Sequence, residues 1–590
     1  MMYVFLGITI VAWIVTAICL PQQFKVSTHN KRFLFFYLLT ILATLGFFLS
    51  GLNLMKQFCF FEIMTLASFA YVPNDETTYA KESAFSYLAY GIVGGLVMLY
   101  GLMILYDMFG TFELREMQSM LVDVAVAPEN QKRLYLAGAC LLFGYGAKAG
   151  MFPFHTWLPD TYTAAPSNGT TLLSSVLSKT GIYGIWLLTV FLFSEAVTWN
   201  KALLILAFCT MFVGGFFALF ATDMKKILAY SSMSQIGFIL FGISIFTMSE
   251  ETAVATWGTL FHVANHSLFK LILFTAAALL YGMTKTTDLN KLAGYANQKK
   301  WLKIPVAIAA LGMGGLPFLS GYISKTMLHE SLMVTPQYQT MLPAAEWIFL
   351  ISGGFTVAYM LKLYMAVFHN KKQEEAEEIC EAKPSKAGIV CLWILAAVVV
   401  TGGILGIVLE PGYFLSLESL KGACISILIG ILLYRLVIRH LAFSREEDGS
   451  FSCCQVIPSW FGLEKMIYRP LFLQFFPFIG ALFFRLFDRI IDGFSIAMMK
   501  TLLRPKKLRV KQEHMVAYGL GRFVDGITYV VQVKIRKKPA ERRRSYGDLF
   551  AVGSAEFSRT TQLVFYSVSF GLMMFAIGLM AALFYLLKVL

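Results

Sequence analysis

The chain has 590 residues, of which 57% are hydrophobic and only 14% carry a formal charge. About a quarter of the residues in a soluble domain are charged, so this composition excludes a soluble globular protein. Apolar runs of about 20 residues, the length that crosses a bilayer as a helix, recur along the whole chain. The sequence therefore predicts an all-α, polytopic membrane protein.

The net charge of +14 would suggest nucleic-acid binding in a soluble protein, but its placement here favours a membrane face. Lys and Arg are concentrated in alternate loops, as the positive-inside rule requires of a protein in the cell inner membrane. This alternation predicts that both termini lie outside and that the large basic segment 442–560 lies in the cytoplasm. Nucleic acid is not expected as a partner.

In chain order, the apolar runs give about fourteen predicted spans. The first, at the N-terminus, lacks a basic region and a small-residue cleavage site, so we expect it to be retained rather than removed as a signal peptide. The predicted spans are 2–20, 33–52, 54–71, 84–106, 133–152, 168–194, 201–222, 226–247, 254–283, 303–330, 346–369, 387–409, 422–441 and 562–589.

Segment 442–560 has a different pattern from the rest of the chain. It contains an amphipathic stretch over 471–503 and a second over 519–533, in which Phe and Leu alternate with charged residues. Such stretches lie along a membrane surface or against partner subunits and also contact lipid. Only 534–547 has the composition of a disordered basic linker. The last span, 562–589, is predicted to be an anchor.

Ionisable residues inside the spans are few, and each needs a physical reason. A charge at the centre of a bilayer costs about 2.5–3.5 kcal/mol on insertion scales, so such residues are candidates for ion transfer. The candidates are Glu62, Lys148, Lys179, His262, His266, Lys270 and Lys325.

Three of these candidates are spaced four residues apart. His262, His266 and Lys270 therefore stack along one face of one helix, about 6 Å per step. Groups that have both neutral and charged forms can pass a proton from one to the next. The alternative is that these side chains are satisfied polar residues that hold helices together.

Two predicted spans contain helix-breaking residues beside a lysine. Glycine and proline leave backbone N–H and C=O groups of a helix without hydrogen bonds. A membrane helix tolerates this where a cavity or a partner bonds those groups again. Discontinuous helices that carry a charge at the break are typical of transporters, although an ordinary proline kink is the alternative at either site. The residues concerned are Gly150, Pro153 and Pro159 after Lys148, and Gly312, Gly314, Gly315, Pro317 and Gly321 before Lys325.

Glu62 lies in a span that has no other charge in its apolar part, and a lysine is its natural partner. If Glu62 pairs with Lys148, the carboxylate stabilises the charged form of the amine, and separating the two releases the proton. The pair would then act as a switch.

The motifs around these residues make a family recognisable. The chain resembles the proton-translocating, antiporter-like membrane subunits shared by respiratory complex I, energy-converting hydrogenases and Mrp-type cation/proton antiporters. The resemblance covers at least 33–370 and rests on FFEIMTLASF, AKAGMFPFHTWLPDTYTAAPS, ATDMKKILAYSSMSQIGF, HVANHSLFKLILF and GLPFLSGYISK.

The resemblance implies a role for each candidate. Glu62 matches the family glutamate, and Lys148 matches its partner lysine on a broken helix. Lys179 matches the connecting lysine on the next helix. Lys325 matches the exit-side residue on the second broken helix, and the central relay matches His262, His266 and Lys270.

The resemblance also implies a division of the chain. Two inverted five-helix repeats would run over 33–194 and 201–330, after a first span and basic loop in 1–32. Additional spans follow in 346–441, and 442–560 with the anchor 562–589 resembles the long family member that has a lateral helix. The family glutamate lies on the fifth span but here falls on the third, so two front helices are absent or come from another chain.

Two functions from different classes fit this resemblance. The first is a proton-translocating subunit of a redox-driven pump, similar to an energy-converting hydrogenase or complex I, with iron–sulfur redox subunits and antiporter-like neighbours as partners. The second is a subunit of an Mrp-type Na⁺(K⁺)/H⁺ antiporter. The nine cysteines are scattered without a CxxC pair, so no cofactor, metal or redox site is expected in this chain. The chain would be a transport subunit of an oxidoreductase complex.

Overall fold

The computed structural model describes most of the chain and leaves several segments undescribed. The described residues are 2–25, 27, 29–125, 127–246, 252–335, 344–370, 383–445, 451–458, 461–468, 470–475, 478–479, 481–482, 515–535, 545–557, 559, 575 and 578–580. Within these ranges the regular structure is helical, apart from one two-stranded hairpin. The predicted all-α class is confirmed.

The helices up to the second broken span are numbered here in chain order. They are α1 (Met2–Phe24), α2 (Asn30–Leu49), α3 (Leu54–Tyr71), α4 (Thr78–Phe109), α5 (Leu114–Ala125), α6 (Pro128–Ala149), α7 (Trp157–Ala164), α8 (Ser167–Leu172), a π-helical segment (Leu173–Leu177), α9 (Ser178–Phe191), α10 (Val197–Phe220), α11 (Met224–Phe246), α12 (Thr252–Thr284), α13 (Lys300–Gly314) and α14 (Ser320–Met333).

The remaining elements follow in the same order. They are α15 (Ala345–Phe368), α16 (Lys386–Leu409), α17 (Pro411–Phe414), α18 (Leu417–Leu433), a π segment (Tyr434–Ile438), α19 (Arg439–Leu441), the antiparallel strands β1 (Phe443–Arg445) and β2 (Phe451–Cys453), π segments Glu464–Tyr468 and Leu471–Phe475, α20 (Met515–Tyr529) and a π segment Val530–Ile535.

Ten described helices are long and apolar enough to cross a membrane. They coincide with ten of the predicted spans. Three further predicted spans are also helical, but they are short, polar or divided: α3, α6, and the pair α13 and α14. The predicted terminal anchor 562–589 lies almost wholly outside the described residues.

Both predicted breaks are present. Helix α6 ends one residue after Lys148, where Gly150 adopts φ +82°, and the chain resumes a helix only at Trp157. Helix α13 ends before Gly315, at φ +85°, and α14 begins five residues later at Ser320. Glycine adopts this left-handed conformation without the steric penalty that a Cβ brings, so each break coincides with a glycine.

Loops that are predicted to share a membrane side contact one another. Arg32 donates to the carboxylate of Glu76 (2.8 Å), and the Leu289 amide donates to the Thr222 carbonyl (3.0 Å). The Gly294 amide donates to the Ala366 carbonyl at 3.0 Å. These loops therefore lie at one end of the helix bundle, as alternation requires. Which membrane side that end faces stays a prediction.

The chain divides into two compact units, 1–458 with 580–590, and 459–579. In the second unit, α20 overlaps the predicted amphipathic stretch 519–533, and the Asp525 carboxylate accepts the backbone N–H of Tyr546 at 2.9 Å. That bond lowers the pKa of Asp525. Most of the predicted lateral stretch 471–503 lies outside the described residues. The bounds of the predicted repeats and segments stay predictions.

Candidate functional site

Glu62 lies on α3 and is almost completely buried, with 1% of its surface exposed. Its carboxylate faces Gly95 of α4, where an added Cβ would lie 2.3 Å from Oε1. Oε1 is buried without a hydrogen-bond partner. A buried acceptor without a donor is costly and needs an explanation, so Glu62 is a candidate functional group.

Lys148, at the end of α6, contacts the same two helices as Glu62. Its Nζ donates to Thr65 Oγ1 (2.9 Å) on α3 and to the Tyr87 hydroxyl (2.7 Å) on α4. Thr65 is about one helical turn from Glu62. The described structure contains no Glu62–Lys148 ion pair within 4.0 Å. Lys148 therefore lies beside the predicted partner but is bonded to neutral hydroxyls.

Lys179 is the second residue after a π-helical segment. Its Nζ donates to the Ser174 carbonyl at 2.5 Å and to Ser178 Oγ at 3.3 Å. A π segment changes the backbone register from i→i+4 to i→i+5, and such segments are frequent at functional sites. The irregular turn places a polar backbone atom and a hydroxyl around a buried amine.

Ser174 and Ser232 belong to the polar cluster around Lys179 and Lys270. Ser174 Oγ lies 3.0 Å from Ser232 Oγ of α11, and Ser232 Oγ donates to the Leu228 carbonyl at 2.9 Å. Lys270 Nζ of α12 donates to the same carbonyl at 2.8 Å and to Ser231 Oγ at 2.5 Å. Lys270 has no exposed surface. The two lysines therefore belong to one buried polar network that spans three membrane helices.

The two histidines lie between this network and the second broken helix. Both ring nitrogens of His266 are buried without a partner. His262 Nδ1 lies 3.1 Å from Ser324 Oγ of α14, whereas its Nε2 is unpartnered. His262 thus extends the polar line from α12 to the helix that carries Lys325.

Lys325 Nζ is buried without a hydrogen-bond partner and lies 5.0 Å from the centre of the Phe238 ring. It lines a cavity beside the break at Gly315, whose Cβ position is 3.2 Å from Lys325 Cδ. All seven predicted candidates are therefore buried. Lys179 and Lys270 lie in one polar cluster of carbonyls and serine hydroxyls, and His262 contacts Ser324 of α14.

Four polar residues near this line were not among the sequence candidates. Lys362 of α15 is fully buried and donates to the Leu219 and Ala221 carbonyls, both at 2.8 Å. Lys225 donates to the Ala165 carbonyl at 2.9 Å. These lysines bond carbonyls at the ends of α10 and α7 and have a structural role.

The other two are His329 of α14 and Glu346 of α15, which contact each other. Lys362 and His329 lie inside predicted spans, so the same membrane-cost argument could have identified them.

The comparisons with known proteins agree with this architecture. Residues 51–350 match the family profile described as NADH:quinone oxidoreductase/Mrp antiporter, TM. The chain is 29% identical over 413 residues to a Na(+)/H(+) antiporter subunit of Alkalihalophilus pseudofirmus, covering 69% of this chain and 80% of the relative. It is 27% identical to hydrogenase-4 component B of Escherichia coli, covering 58% of this chain and 52% of the relative. The chain therefore spans about half the length of the hydrogenase relative.

Two solved structures have the same fold. One is the Mrp complex of a Dietzia species, with a TM-score of 0.59, 18% identity, and coverage of 74% of this chain and 84% of that chain. The other is the archaeal membrane-bound sulfane sulfur reductase, with a TM-score of 0.61, 22% identity, and coverage of 73% and 83%. With the profile match over half of its length, the chain belongs to the NADH:quinone oxidoreductase/Mrp antiporter transmembrane family.

Proposed function

We propose that the chain is a proton-translocating subunit of a multi-subunit, redox-driven ion pump similar to an energy-converting hydrogenase or complex I. The observation that carries the proposal is a buried polar cluster in which Lys179 bonds the Ser174 carbonyl, Lys270 bonds the Leu228 carbonyl, and the Ser174 and Ser232 hydroxyls contact each other. Amines at this depth cost several kcal/mol, and a purely structural network could be built from neutral groups.

The network has the chemical properties that proton transfer needs. A lysine amine holds or releases a proton, and a serine hydroxyl both donates and accepts a hydrogen bond. The two amines bond the Ser174 and Leu228 carbonyls, which accept a hydrogen bond but cannot pass a proton on. Transfer from Lys179 to Lys270 would therefore need the Ser174 and Ser232 hydroxyls, which contact each other, to turn towards the amines. His266 and His262, with three unpartnered ring nitrogens between them, would carry the proton towards Lys325.

Glu62 and Lys148 would form the input switch. Lys148 is bonded to Thr65 and Tyr87. Glu62, about one helical turn from Thr65 on α3, has an Oε1 atom that lacks a hydrogen-bond partner. The amine would alternate between two positions, the observed one on the hydroxyls and a proposed one on the carboxylate. Moving onto Glu62 would stabilise the protonated amine, and moving back would release the proton.

The proposed partners are other membrane subunits, including antiporter-like neighbours, and redox subunits with iron–sulfur clusters elsewhere in the complex. The chain itself would contribute the transport path and no redox centre. Lipid would surround the outer face of the bundle. The basic loops, including Lys31 and Arg32, would face the cytoplasm, which places both termini outside.

A second function, a subunit of an Mrp-type Na⁺(K⁺)/H⁺ antiporter, has its own support. The chain is similar to Na⁺/H⁺ antiporter subunits of Alkalihalophilus pseudofirmus and Bacillus subtilis. The match to the Alkalihalophilus protein covers more of this chain than the match to the hydrogenase component. The same proton path serves both functions, since they differ in what drives it.

Proton transport through the chain is tested with Lys270→Met in vesicles that contain the whole complex. Lys270 has two partners in the network, so its loss should abolish proton uptake into inverted vesicles while the complex still assembles. Lys201→Met, at an exposed position on α10, is the matched control and should pump normally. Normal pumping by Lys270→Met would refute the proposal.

The driving reaction is tested on the purified native complex. A redox-driven pump should co-purify with iron–sulfur subunits, and an electron donor should energise it without a sodium gradient. An Mrp-type antiporter should lack those subunits and exchange protons for Na⁺ or K⁺. The second result would replace the first function with the alternative.

A further inference from the structure

A second titratable pair lies about one helical turn beyond Lys325. His329 is on the same helix, four residues further along α14, so both side chains lie on the same face. Both line one cavity, which extends to Phe349 of α15 and Gly422 of α18. The cavity offers about 30 Å³ that water can occupy. About 10–15 Å³ is enough for one molecule, so one or two waters fit between the amine and the imidazole.

The imidazole of His329 has neighbours on α15 and α18. Its ring centre lies 5.6 Å from that of Phe349. A Cβ added to Gly422 would lie 3.2 Å from both Cε1 and Nδ1 of the ring, so a larger residue here would push the ring. His329 and Gly422 line the same cavity.

The ring also lies near a carboxylate. His329 Nε2 lies 3.5 Å from Glu346 Oε1, at the start of α15, which is within ion-pair distance although no hydrogen bond is formed. The side chain of His329 is 17% exposed and that of Glu346 is 42% exposed. Exposure thus rises from Lys325, which is buried, through His329 to Glu346, which reaches the surface.

We propose that His329 and Glu346 form the terminal proton relay, which carries protons from Lys325 to the aqueous phase at the outer end of α14. This inference rests on the proposed function. The protonated Lys325 gives its proton, through cavity water, to neutral His329 and becomes a neutral amine. The resulting imidazolium gives the proton on Nε2 to Glu346, which releases it to bulk water as the carboxylate forms again. No other reactant is consumed.

The test uses His329→Gln and Glu346→Gln in the whole complex, in inverted vesicles with a pH dye in the lumen. The lumen corresponds to the outer face, so the dye reports proton release directly. Each variant should release protons at least about tenfold more slowly, because general acid–base groups contribute about 10²–10⁴-fold and cavity water replaces them only in part. Glu330→Gln, the neighbouring carboxyl on α14, is the matched control and should behave as wild type.

Two further variants separate proton transfer from a structural contact between α14 and α15. His329→Ala should be slow, and added imidazole should restore its rate, which a lost structural contact would not allow. Gly422→Ala should slow release by displacing the ring while both titratable groups remain. If His329→Gln does not assemble, Glu346→Gln at the half-exposed surface position decides the question.

The outcomes separate this inference from the proposed function. Wild-type release by Glu346→Gln, in a preparation where Lys270→Met abolishes pumping, would overturn the relay and leave the function standing. Wild-type release by both Glu346→Gln and Lys270→Met would overturn the proposed function itself. Slow release by Glu346→Gln, with normal release by Glu330→Gln, supports the relay.

Discussion

The α-carbon of Gly95 faces the carboxylate of Glu62 so closely that a methyl group there would lie 2.3 Å from Oε1. The adjacent Gly94 instead faces Ala147, at an ordinary 3.6 Å from its Cβ. These neighbouring glycines of α4 therefore make a matched pair for testing the proposed input switch.

Gly95→Ala should displace the Glu62 carboxylate and reduce coupled proton pumping at least about tenfold, since catalytic geometry tolerates little misplacement. Gly94→Ala should pump close to the wild-type rate. The measurement is dye-reported proton uptake per unit of assembled complex in inverted vesicles. Equal rates for the two variants would show that the position of Glu62 does not control transport.

Removing the carboxylate charge is the complementary change. Glu62→Gln keeps the volume of the side chain but cannot draw the proton-carrying amine of Lys148 towards it. We expect normal assembly and sharply reduced coupled transport in the same vesicles. Full transport by Glu62→Gln would remove Glu62 from the input switch.

Tyr87→Phe removes one of the two hydroxyls that bind Lys148. A hydrogen bond to a charged group contributes about 1.5–3 kcal/mol, so the thermal stability of the complex should fall measurably. Pumping should also slow, because the amine loses one of its two resting contacts. Tyr37→Phe, which removes a buried hydroxyl bonded to Thr16 on α1, is the control: it should cost stability without slowing transport.

The paired hydroxyls of Ser174 and Ser232 allow a double-mutant cycle. Either serine-to-alanine change removes the contact between the two hydroxyls, so each should slow pumping about tenfold or more. The double variant should be no slower than either single variant, since one broken link interrupts the path. Additive losses would show that the two hydroxyls act independently and that the link is not part of the path.

Asn290 anchors the hairpin that follows the last described membrane helix. Its side chain accepts the Cys453 amide at 2.5 Å and donates to the Cys453 carbonyl at 3.1 Å. Burial raises the pKa of the Cys453 thiol to about 11, so little thiolate is present at neutral pH. In the wild type, maleimide labelling of Cys453 should therefore rise about tenfold per pH unit until pH approaches 11.

Asn290→Ala should release the hairpin and let the thiol return towards its ordinary pKa of about 8.5. Labelling at pH 8, measured in a Cys454→Ser background, should rise about a hundredfold. Asn297→Ala, in the same loop, should leave labelling unchanged. Unchanged labelling in Asn290→Ala would show that other contacts hold the hairpin.

The sequence alone determined the fold class, most of the spans and the two breaks. Membrane insertion depends on local properties, namely about 20 consecutive apolar residues, the side on which Lys and Arg accumulate, and the glycines that end α6 and α13. The cost of burying charge also identified Glu62, Lys148 and the other candidates as buried residues. Their roles in proton transfer stay predictions.

Only the tertiary structure decided which groups contact each other. Lys148 is bonded to Thr65 and Tyr87 and not to Glu62. The serines in the cluster around Lys179 and Lys270 come from the π segment and α11. Glu346 is the first residue of the predicted span 346–369, where a charge is no surprise. The packing of α15 against α14 brings it to His329. Hydropathy and spacing fix the depth of a residue along its own helix, but the partner comes from how helices far apart in the sequence pack.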